Sequence, residues 1–464
     1  MQRQNIGDMQ AATYLKLQHD IKDIRRFLAH HMGNVKNGRA AAFKSREFLR
    51  VIQNNVEVLK RLEGVNDYVS AKMAALQSYV QRTISSIQNP SNCTAAPKLL
   101  CRLTNPYGLA SAVHDLLWCF VAALRTGRTL ILDSTMWKYA PGRDWLKSLL
   151  PVTGAACTSI RTPDNETEIY MFPGTRPRKP MKDLPSAIVA TLVANNGDPY
   201  AWWYGQIMSY ALRVNNSTLQ KIHKFKVARG YEHPIVGVHI RRRDENVEEA
   251  YHAVDEYMFH VEEFYSKLSL VTAVTTKRVF LATDDPYVTD EFERRFPEYE
   301  LVTAKRSSRS AAERSRSTFF DALLDLQLLA DSDFLVCTMS SGFCRVAYEL
   351  MQVRHPDASL KTVSLDVEYF FAFVSFPPRK TLEENRPALP HELGWSGKGQ
   401  LIEAPSKYVS VDEAVKKKFA DGFSMGRVQG RATKDALSVF PRFKTTQTYS
   451  VADYAAFAAP PSQA

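Results

Sequence analysis

The sequence predicts an α/β protein with a parallel, doubly wound sheet, preceded by a long helical segment and followed by a small β-barrel. Between about 91 and 370, strand patterns alternate with helix patterns, which is typical of parallel βα units. Over 10–32 and 43–88, apolar residues recur at helical spacing. Beyond 375, short pieces punctuated by Pro and Gly favour a small barrel.

Length, charge and hydropathy limit the possible classes. At 464 residues the chain is too long for one core and suggests two to four units. A net charge of +11 favours an anionic partner, and nucleic acid, a membrane surface and nucleotide-sugar phosphates all fit. The chain contains no run of 18 apolar residues and no signal-peptide core at its start, so we expect no segment of it to span a bilayer. Two alternatives then fit: an intracellular protein, or one whose targeting segment has been removed.

Cysteines and sequons favour a secretory compartment. The six cysteines form no C-x-x-C pair, which disfavours a zinc ribbon. N-glycosylation sequons occur at Asn92, at Asn165 and within Asn215–Thr218. An even cysteine count together with sequons fits an oxidising environment.

The helical segment is predicted to end at Asn89-Pro90-Ser91. Its second helix carries apolar residues at spacings of three or four, or their sums: Ile52, Val56, Leu59, Leu62, Val69, Met73, Leu76, Val80, Ile84 and Ile87. Such a stripe packs on a partner helix, either in an intramolecular hairpin or in a dimer.

The α/β region is predicted to contain the following elements in order. They are a helix at about 109–125, a strand at 128–133, a Pro-rich connector at 172–180, a strand at 235–240, a helix at 253–269, a strand at 278–283, helices at 287–296 and 317–330, a strand at 334–338 and a helix at 343–353. We interpret the connector as a loop between lobes and not as a peptide ligand.

Polar residues follow three of the predicted strands. The strand 235–240 is followed by Arg241–Arg243, and the next two end in Thr283–Asp285 and Thr338–Ser341. Because the carboxyl ends of parallel strands meet at one edge, these residues are predicted to share a crevice. Guanidinium groups there indicate a phosphate ligand, and the carboxylates that follow Arg243 could supply a base.

Asp325 has two candidate partners. Asp325 lies among leucines on a predicted helix, where a buried carboxylate needs a partner. An amine-bearing base such as guanine and a neighbouring arginine both fit.

Asp331-Ser332-Asp333 precedes its strand, at the edge away from the crevice, so we predict no metal there. Glycine-rich nucleotide-binding loops are also missing from the sequence.

With these residues, the chain resembles the eukaryotic α-1,6-fucosyltransferases, the core fucosyltransferases of N-glycans, over about 89–370. The blocks that carry the resemblance are Val236–Arg242, Glu248–His252, Asp255–Met258, Leu281–Pro286, Asp333–Thr338 and Cys344–Glu349. The resemblance implies a GT-B-like glycosyltransferase fold. Its parts would be a helical coiled-coil stem at 1–88, a catalytic α/β domain at 89–370 with a Rossmann half at about 230–370, an SH3-like domain at 371–445 and a tail at 446–464.

The resemblance also implies a cellular setting and a covalent framework. It places the protein in the Golgi lumen as a type II membrane protein whose anchor this chain lacks, with a homodimer formed through the stem. The implied disulfides are Cys93–Cys157, Cys101–Cys119 and Cys337–Cys344. A further pair of the family, around Tyr107-Gly108, is missing here.

Residue roles carry over in the same way. GDP-fucose, the donor substrate, would be bound by Arg241, Arg242, His239, Asp325, Ser341, Tyr107 and Gly108. The acceptor would be bound by Glu248, Asp366 and Tyr369. Activity would depend on Glu248, Arg241, Asp284, Asp285 and Tyr257. No cofactor and no metal are expected.

The implied reaction moves fucose from GDP-β-L-fucose to the 6-hydroxyl of the innermost N-acetylglucosamine of an N-glycoprotein. Glu248, or Glu249 if the local gap lies elsewhere, would take the proton as the acceptor attacks with inversion. Arg241 would stabilise the departing diphosphate.

The chain departs from the family in four places. Glu245 stands where the family has lysine, one residue is missing before Glu248, and Val367 replaces a second acid beside Asp366. Phe419-Ala420 stands where the family shows His-Trp. We therefore expect differences in the phosphate clamp, where Arg243 offers a replacement cation, and in acceptor recognition.

Three other functions compete with this one. Fucose transfer to chitin-like oligosaccharides is less favoured, because of the predicted stem and barrel. A glycan-binding module without turnover is disfavoured by the retained acidic residues. Nucleic-acid binding rests on the basic pI alone and lacks a basic-aromatic signature, so we expect no nucleic-acid partner.

Overall fold

The protein is described here from a computed structural model. The described residues are 2–31, 38–104, 108–137, 145–157, 168–172, 183–242, 252–304, 319–369 and 408–410. The chain divides into two compact units. The first combines Met1–Ala74, Met181–Pro199 and Ile402–Ala464, and the second combines Ala75–Pro180 and Tyr200–Leu401. Apart from 408–410, the expected SH3-like domain and tail lie outside the described residues, and the expected domain boundaries stay predictions.

The N-terminal helices are α1 (Gln2–His31), α2 (Gly38–Leu62) and α3 (Val65–Gln88). The prediction of one continuous helix over 43–88 is wrong, because the helix ends before Gly64. This glycine has a φ of +69°, a left-handed conformation that commonly ends helices. Within the apolar stripe, Val56 and Met73 are buried whereas Leu62 is exposed.

The second unit contains a three-stranded parallel sheet in the order β2-β1-β3. Its strands are β1 (Lys98–Leu103), β2 (Thr129–Asp133) and β3 (Glu168–Phe172). The helix between the first two, α4 (Leu109–Thr126), is buried along almost its whole length. Among the described residues it is the one helix long and apolar enough to cross a membrane, and its burial is that of a core helix.

A second sheet of the same unit has five strands in the order β7-β6-β5-β8-β9, all parallel. The strands are β5 (Ile235–Ile240), β6 (Arg278–Thr283), β7 (Glu300–Val302), β8 (Phe334–Cys337) and β9 (Thr362–Ser364). The predicted α/β class with a parallel sheet is confirmed. Strand order reverses between β5 and β8, and ligands of open α/β sheets bind at such a reversal.

The remaining elements are mostly helices. In chain order they are α5 (Trp145–Ser148), β4 (Asp183–Pro185), α6 (Ser186–Asn195), α7 (Pro199–Ala211), α8 (Asn216–Arg229), α9 (Val254–Leu268), α10 (Pro286–Arg295), α11 (Phe319–Asp331), α12 (Gly342–Arg354) and β10 (Tyr408–Ser410), with β10 antiparallel to β4. The helices α9 to α12 fall where the sequence predicts helices, within two residues at either end. The helices α6, α7 and α8 and the strands β1, β7 and β9 were not predicted.

All six cysteines are paired, in the three combinations that the resemblance implies. The disulfides are Cys93–Cys157, Cys101–Cys119 and Cys337–Cys344. The second ties β1 to the helix that follows it, and the third ties the end of β8 to the first turn of α12. Each sheet thus has a strand that is covalently linked to the helix that follows it.

Helix α7 approaches α12 so closely that a glycine is required at the contact. A Cβ placed on Gly205 would lie 2.0 Å from the backbone oxygen of Glu349. A Gly-to-Ala change inside a helix normally stabilises it by up to about 1 kcal/mol. We predict the opposite sign here: Gly205→Ala lowers the free energy of unfolding by about 1–3 kcal/mol. Chemical denaturation measures it, and an increase in stability would contradict this packing.

A second prediction concerns pH and His355. Burial, with a smaller contribution from Lys361, lowers the pKa of His355 to about 4, and its Nε2 lies 3.2 Å from the Ser332 oxygen. The unfolded chain, with a pKa near 6.5, takes up this proton first as the pH falls. The stability contributed by neutral His355 is therefore complete above about pH 6.5 and is lost towards pH 4.

We expect His355→Gln, which keeps an N–H donor, to flatten this decline by up to about 3 kcal/mol. Urea denaturation at several pH values between 4 and 7 measures the slope. Identical slopes for the two proteins would show that His355 does not titrate in this way.

Candidate functional site

The carboxyl end of β5 delivers two arginines to the point where the strand order reverses. Every residue of β5 is buried, because the strand pairs with β6 on one side and β8 on the other. Arg241 and Arg242 follow directly and are half-buried. The Arg242 N–H donates to Asp284 Oδ1 at 2.9 Å, and its Nη2 donates to the His252 carbonyl oxygen at 2.6 Å. Arg242 therefore links the ends of β5 and β6 to His252, two residues before the start of α9.

The predicted base lies between these anchored residues in the sequence. Glu248, its alternative Glu249 and the departures at Arg243 and Glu245 all lie outside the described residues. The bond from Arg242 to His252 joins the two residues that flank the stretch 243–251. Arg242 and His252 are therefore held together at the carboxyl edge of the sheet.

His252 is itself held in place by α9. Its Nδ1 lies 2.9 Å from Glu256 Oε2, and its ring meets that of Tyr257 edge-on, with centroids 6.4 Å apart. Tyr257, predicted to be needed for activity, is buried in the core between α9 and the sheet. From the core, the Tyr257 ring therefore contacts the ring of His252.

The two aspartates that follow β6 have different surroundings. Asp284 accepts the Arg242 N–H. Asp285 is the N-cap of α10, where its Oδ1 accepts the Tyr287 N–H at 3.0 Å. An aspartate followed by proline is a favoured way to begin a helix. The Asp284 carboxylate therefore holds the backbone at Arg242, and the Asp285 carboxylate caps the start of α10.

On the other side of the reversal, β8 leads through a turn into α12. Ser341 is the N-cap of α12, but its hydroxyl makes no capping bond. The buried Oγ has no hydrogen-bond partner among the described residues. His239 of β5 stacks on Phe343 in the first turn of α12, with centroids 5.0 Å apart. Predicted donor-binding residues from β5 and β8 are thus brought together.

The start of α4 lies beside the start of α12. A Cβ placed on Gly342 would lie 3.5 Å from the Cβ of Ala110, so a small residue allows the two helix N-termini to approach. Gly108 is the N-cap of α4, whereas Tyr107 lies outside the described residues. Free N–H groups at helix N-termini attract anions. The structure therefore places the N-termini of α4 and α12 side by side.

Three other predicted site residues are buried or bonded within the protein. Asp325 is buried on α11. Asp366 accepts hydrogen bonds from the turn after β8. The Tyr369 hydroxyl donates to Glu349 Oε1 at 2.8 Å, and His114 Nε2 lies 3.2 Å from the same oxygen. Sequence reasoning missed the contributions of His114 and Glu349, since nothing in their local pattern distinguishes them from helix-face residues.

The acidic residues before β8 lie at the opposite edge of the sheet. Although burial would raise it, the guanidinium of Arg354 and the ammonium of Lys226 hold the pKa of Asp331 below its usual value. Asp333 accepts hydrogen bonds from the Ile235 N–H and from the His233 ring. In the part of the chain that the structure describes, no group of three or more His, Cys, Asp or Glu is arranged to hold a metal ion.

Comparison with known protein families identifies the family to which this chain belongs. Residues 2–370 match the family described as alpha-(1,6)-fucosyltransferase N- and catalytic domains. The chain belongs to the α-(1,6)-fucosyltransferase family.

Two curated relatives share this name. The alpha-(1,6)-fucosyltransferase of Drosophila melanogaster is 33% identical over 410 residues, covering 82% of this chain and 66% of the relative. That of Caenorhabditis elegans is 29% identical over 340 residues, covering 68% of this chain and 60% of the relative. The chain therefore spans slightly less than two thirds of the length of these relatives.

Among solved structures, the chain is similar to fucosyltransferase NodZ from Bradyrhizobium. The identity is 18% and the TM-score 0.33, with coverage of 54% of this chain and 92% of that structure.

The capping role of Asp285 in this α-(1,6)-fucosyltransferase family member can be tested by measuring the free energy of unfolding. We predict that Asp285→Ala lowers the free energy of unfolding by about 1 kcal/mol through loss of the cap. Asp285→Asn keeps an oxygen that accepts the Tyr287 N–H and should lie within a few tenths of a kcal/mol of wild type, as expected for interchangeable caps. Equal losses in the two variants, measured by thermal or chemical unfolding, would show that the charge and not the cap matters.

Proposed function

We propose that the protein transfers fucose from GDP-β-L-fucose to the 6-hydroxyl of the innermost N-acetylglucosamine of N-glycans. The observation that carries the proposal is the position of Arg241 and Arg242 at the strand-order reversal, in a chain of the α-(1,6)-fucosyltransferase family. In this proposal the parallel sheets belong to a GT-B-like glycosyltransferase. The predicted site residues at this edge are Arg241 and Arg242 after β5, Asp284 after β6, and Ser341 at the start of α12.

The donor diphosphate is proposed to lie against the carboxyl end of β5. Arg241 and Arg242 supply guanidinium donors, which bind phosphate oxygens in pairs. The N–H groups at the start of α12 and the Ser341 hydroxyl lie on the neighbouring strand's side of the same reversal. His239, buried on β5, stacks on Phe343 in the first turn of α12. Asp325 remains the candidate for an amine-bearing base such as guanine.

The chemistry proposed for this site uses the protein's own charges. Negative charge builds up on the diphosphate as the bond to the fucose anomeric carbon breaks. Positioned guanidinium groups stabilise that charge best where water is partly excluded, as around the half-buried Arg241 and Arg242. Glu248 would accept the proton of the acceptor hydroxyl as it attacks the opposite face. The proposal therefore includes neither a cofactor nor a metal.

The cellular setting is proposed on the same basis. Three disulfides fit an oxidising compartment, and we place the protein in the Golgi lumen, where its N-glycoprotein acceptors would be found. A homodimer formed through the helical segment remains part of this proposal, and exposed apolar residues on α2 such as Phe48, Ile52 and Leu62 are compatible with it.

The proposal is tested by removing one donor-binding guanidinium. We predict that Arg241→Ala lowers the rate of fucose transfer by about 10²-fold or more. Arg294→Ala, which removes the same charge from an exposed position on α10, is the matched control and should behave like wild type.

The assay uses GDP-fucose and a defined biantennary N-glycan, with and without a chelator, and a chitin oligosaccharide as the alternative acceptor. A near-normal rate for Arg241→Ala would contradict the proposed role of Arg241 in stabilising the diphosphate. Transfer to the chitin oligosaccharide alone would move the acceptor assignment to that class. GDP binding without any transfer would favour a glycan-binding module.

A further inference from the structure

The turn between β8 and α12 is held from two sides by opposite charges. On one side, Asp366 Oδ1 accepts the N–H groups of Met339 at 2.8 Å and Ser340 at 3.4 Å. Its Oδ2 accepts the Ser340 hydroxyl. On the other side, Arg345 Nη1 donates to the carbonyl oxygens of Met339 at 3.1 Å and Ser340 at 3.3 Å. The peptide groups of this turn are therefore fixed by a carboxylate and a guanidinium.

Asp366 is in turn fixed by the strand that precedes it. Strand β9 pairs with β8, with Ser364 opposite Cys337, and the Leu365 N–H donates to the Cys337 oxygen at 2.9 Å. The Ser364 hydroxyl donates to Asp366 Oδ1 at 2.8 Å, and the Val367 N–H donates to the same oxygen at 2.6 Å. Both carboxylate oxygens of Asp366 are thus bonded to the protein.

The turn ends at Ser341, the N-cap of α12. This serine is 1% exposed, and its hydroxyl has no hydrogen-bond partner among the described residues. A buried hydroxyl without a hydrogen-bond partner is energetically unfavourable. An N-cap serine normally satisfies its hydroxyl within its own helix, and Ser341 does not. A hydroxyl kept in this state at the edge of a strand-order reversal points to a ligand.

We propose that Asp366 and Arg345 are positioning residues for the donor nucleotide, holding the turn so that the Ser341 hydroxyl meets GDP-fucose. The inference rests on the proposed function and deepens it. It assigns Asp366 to the donor side of the reaction, whereas the family resemblance implies an acceptor contact. The geometry favours the donor side, since the carboxylate is already engaged by the turn and by its own strand.

The test compares donor and acceptor parameters in the same variants. We expect Asp366→Ala to raise the Kd for GDP, measured by titration calorimetry, and the KM for GDP-fucose by about tenfold or more, because several bonds to the turn are lost together. The acceptor KM should stay within about twofold, since the Asp366 carboxylate makes no acceptor contact in this account. Asp366→Asn keeps an oxygen for the two N–H groups and should restore most of the GDP affinity.

A matched control exists at the other end of β9. Asp357 bonds a serine in the same way, accepting the Ser359 N–H at 3.0 Å and its hydroxyl at 2.9 Å, but it lies at the amino end of the strand. Asp357→Ala should leave GDP binding unchanged. If Asp366→Ala does not fold, Ser340→Ala removes the hydroxyl bond alone and should raise the Kd for GDP by about threefold with an unchanged acceptor KM.

The outcomes separate this inference from the proposed function. A raised acceptor KM with unchanged GDP affinity in Asp366→Ala or Ser340→Ala would overturn the donor role and leave the fucosyltransferase assignment standing. Unchanged parameters in both variants would overturn it as well. A wild-type protein that neither binds GDP nor transfers fucose would overturn both.

Discussion

The pairing of β5 with β6 on one side and β8 on the other is the constraint on which the site depends. It buries β5 completely and fixes where its backbone ends, so that Arg241 and Arg242 emerge at the reversal of strand order. The neighbouring strands lead to the other residues at this edge: Asp284, which bonds Arg242, after β6, and Ser341 after β8. Because all the strands are parallel, one edge of the sheet collects these groups from distant parts of the sequence.

Much of this arrangement could be predicted from the sequence. The predicted strands β5, β6 and β8 have strong apolar runs, and the polar residues after each of them were expected to meet. The strands β7 and β9, of three residues each, are too short for periodicity to detect. The break at Gly64 was missed because the apolar spacing continues across it, and the disulfide pairing came from the family resemblance and not from spacing.

The contacts that were not predicted depend on sheet register and helix approach. Asp366 reaches the turn after β8 only because Ser364 pairs with Cys337, and no local pattern reveals that pairing. Val367, which replaces the family's second acid, is buried, and its N–H donates to Asp366. At this position the chain therefore has a buried apolar side chain and no carboxylate. Together these contacts connect the end of β9 with the turn between β8 and α12.

A crystal structure of the protein with GDP tests the central claim most directly. The account predicts the diphosphate within hydrogen-bond distance of the Arg241 and Arg242 guanidinium groups and a nucleotide oxygen within about 3 Å of the Ser341 hydroxyl, as for ordinary O–H···O bonds. GDP bound elsewhere, or bound here with the Ser341 hydroxyl still unpartnered and the arginines turned away, would contradict it.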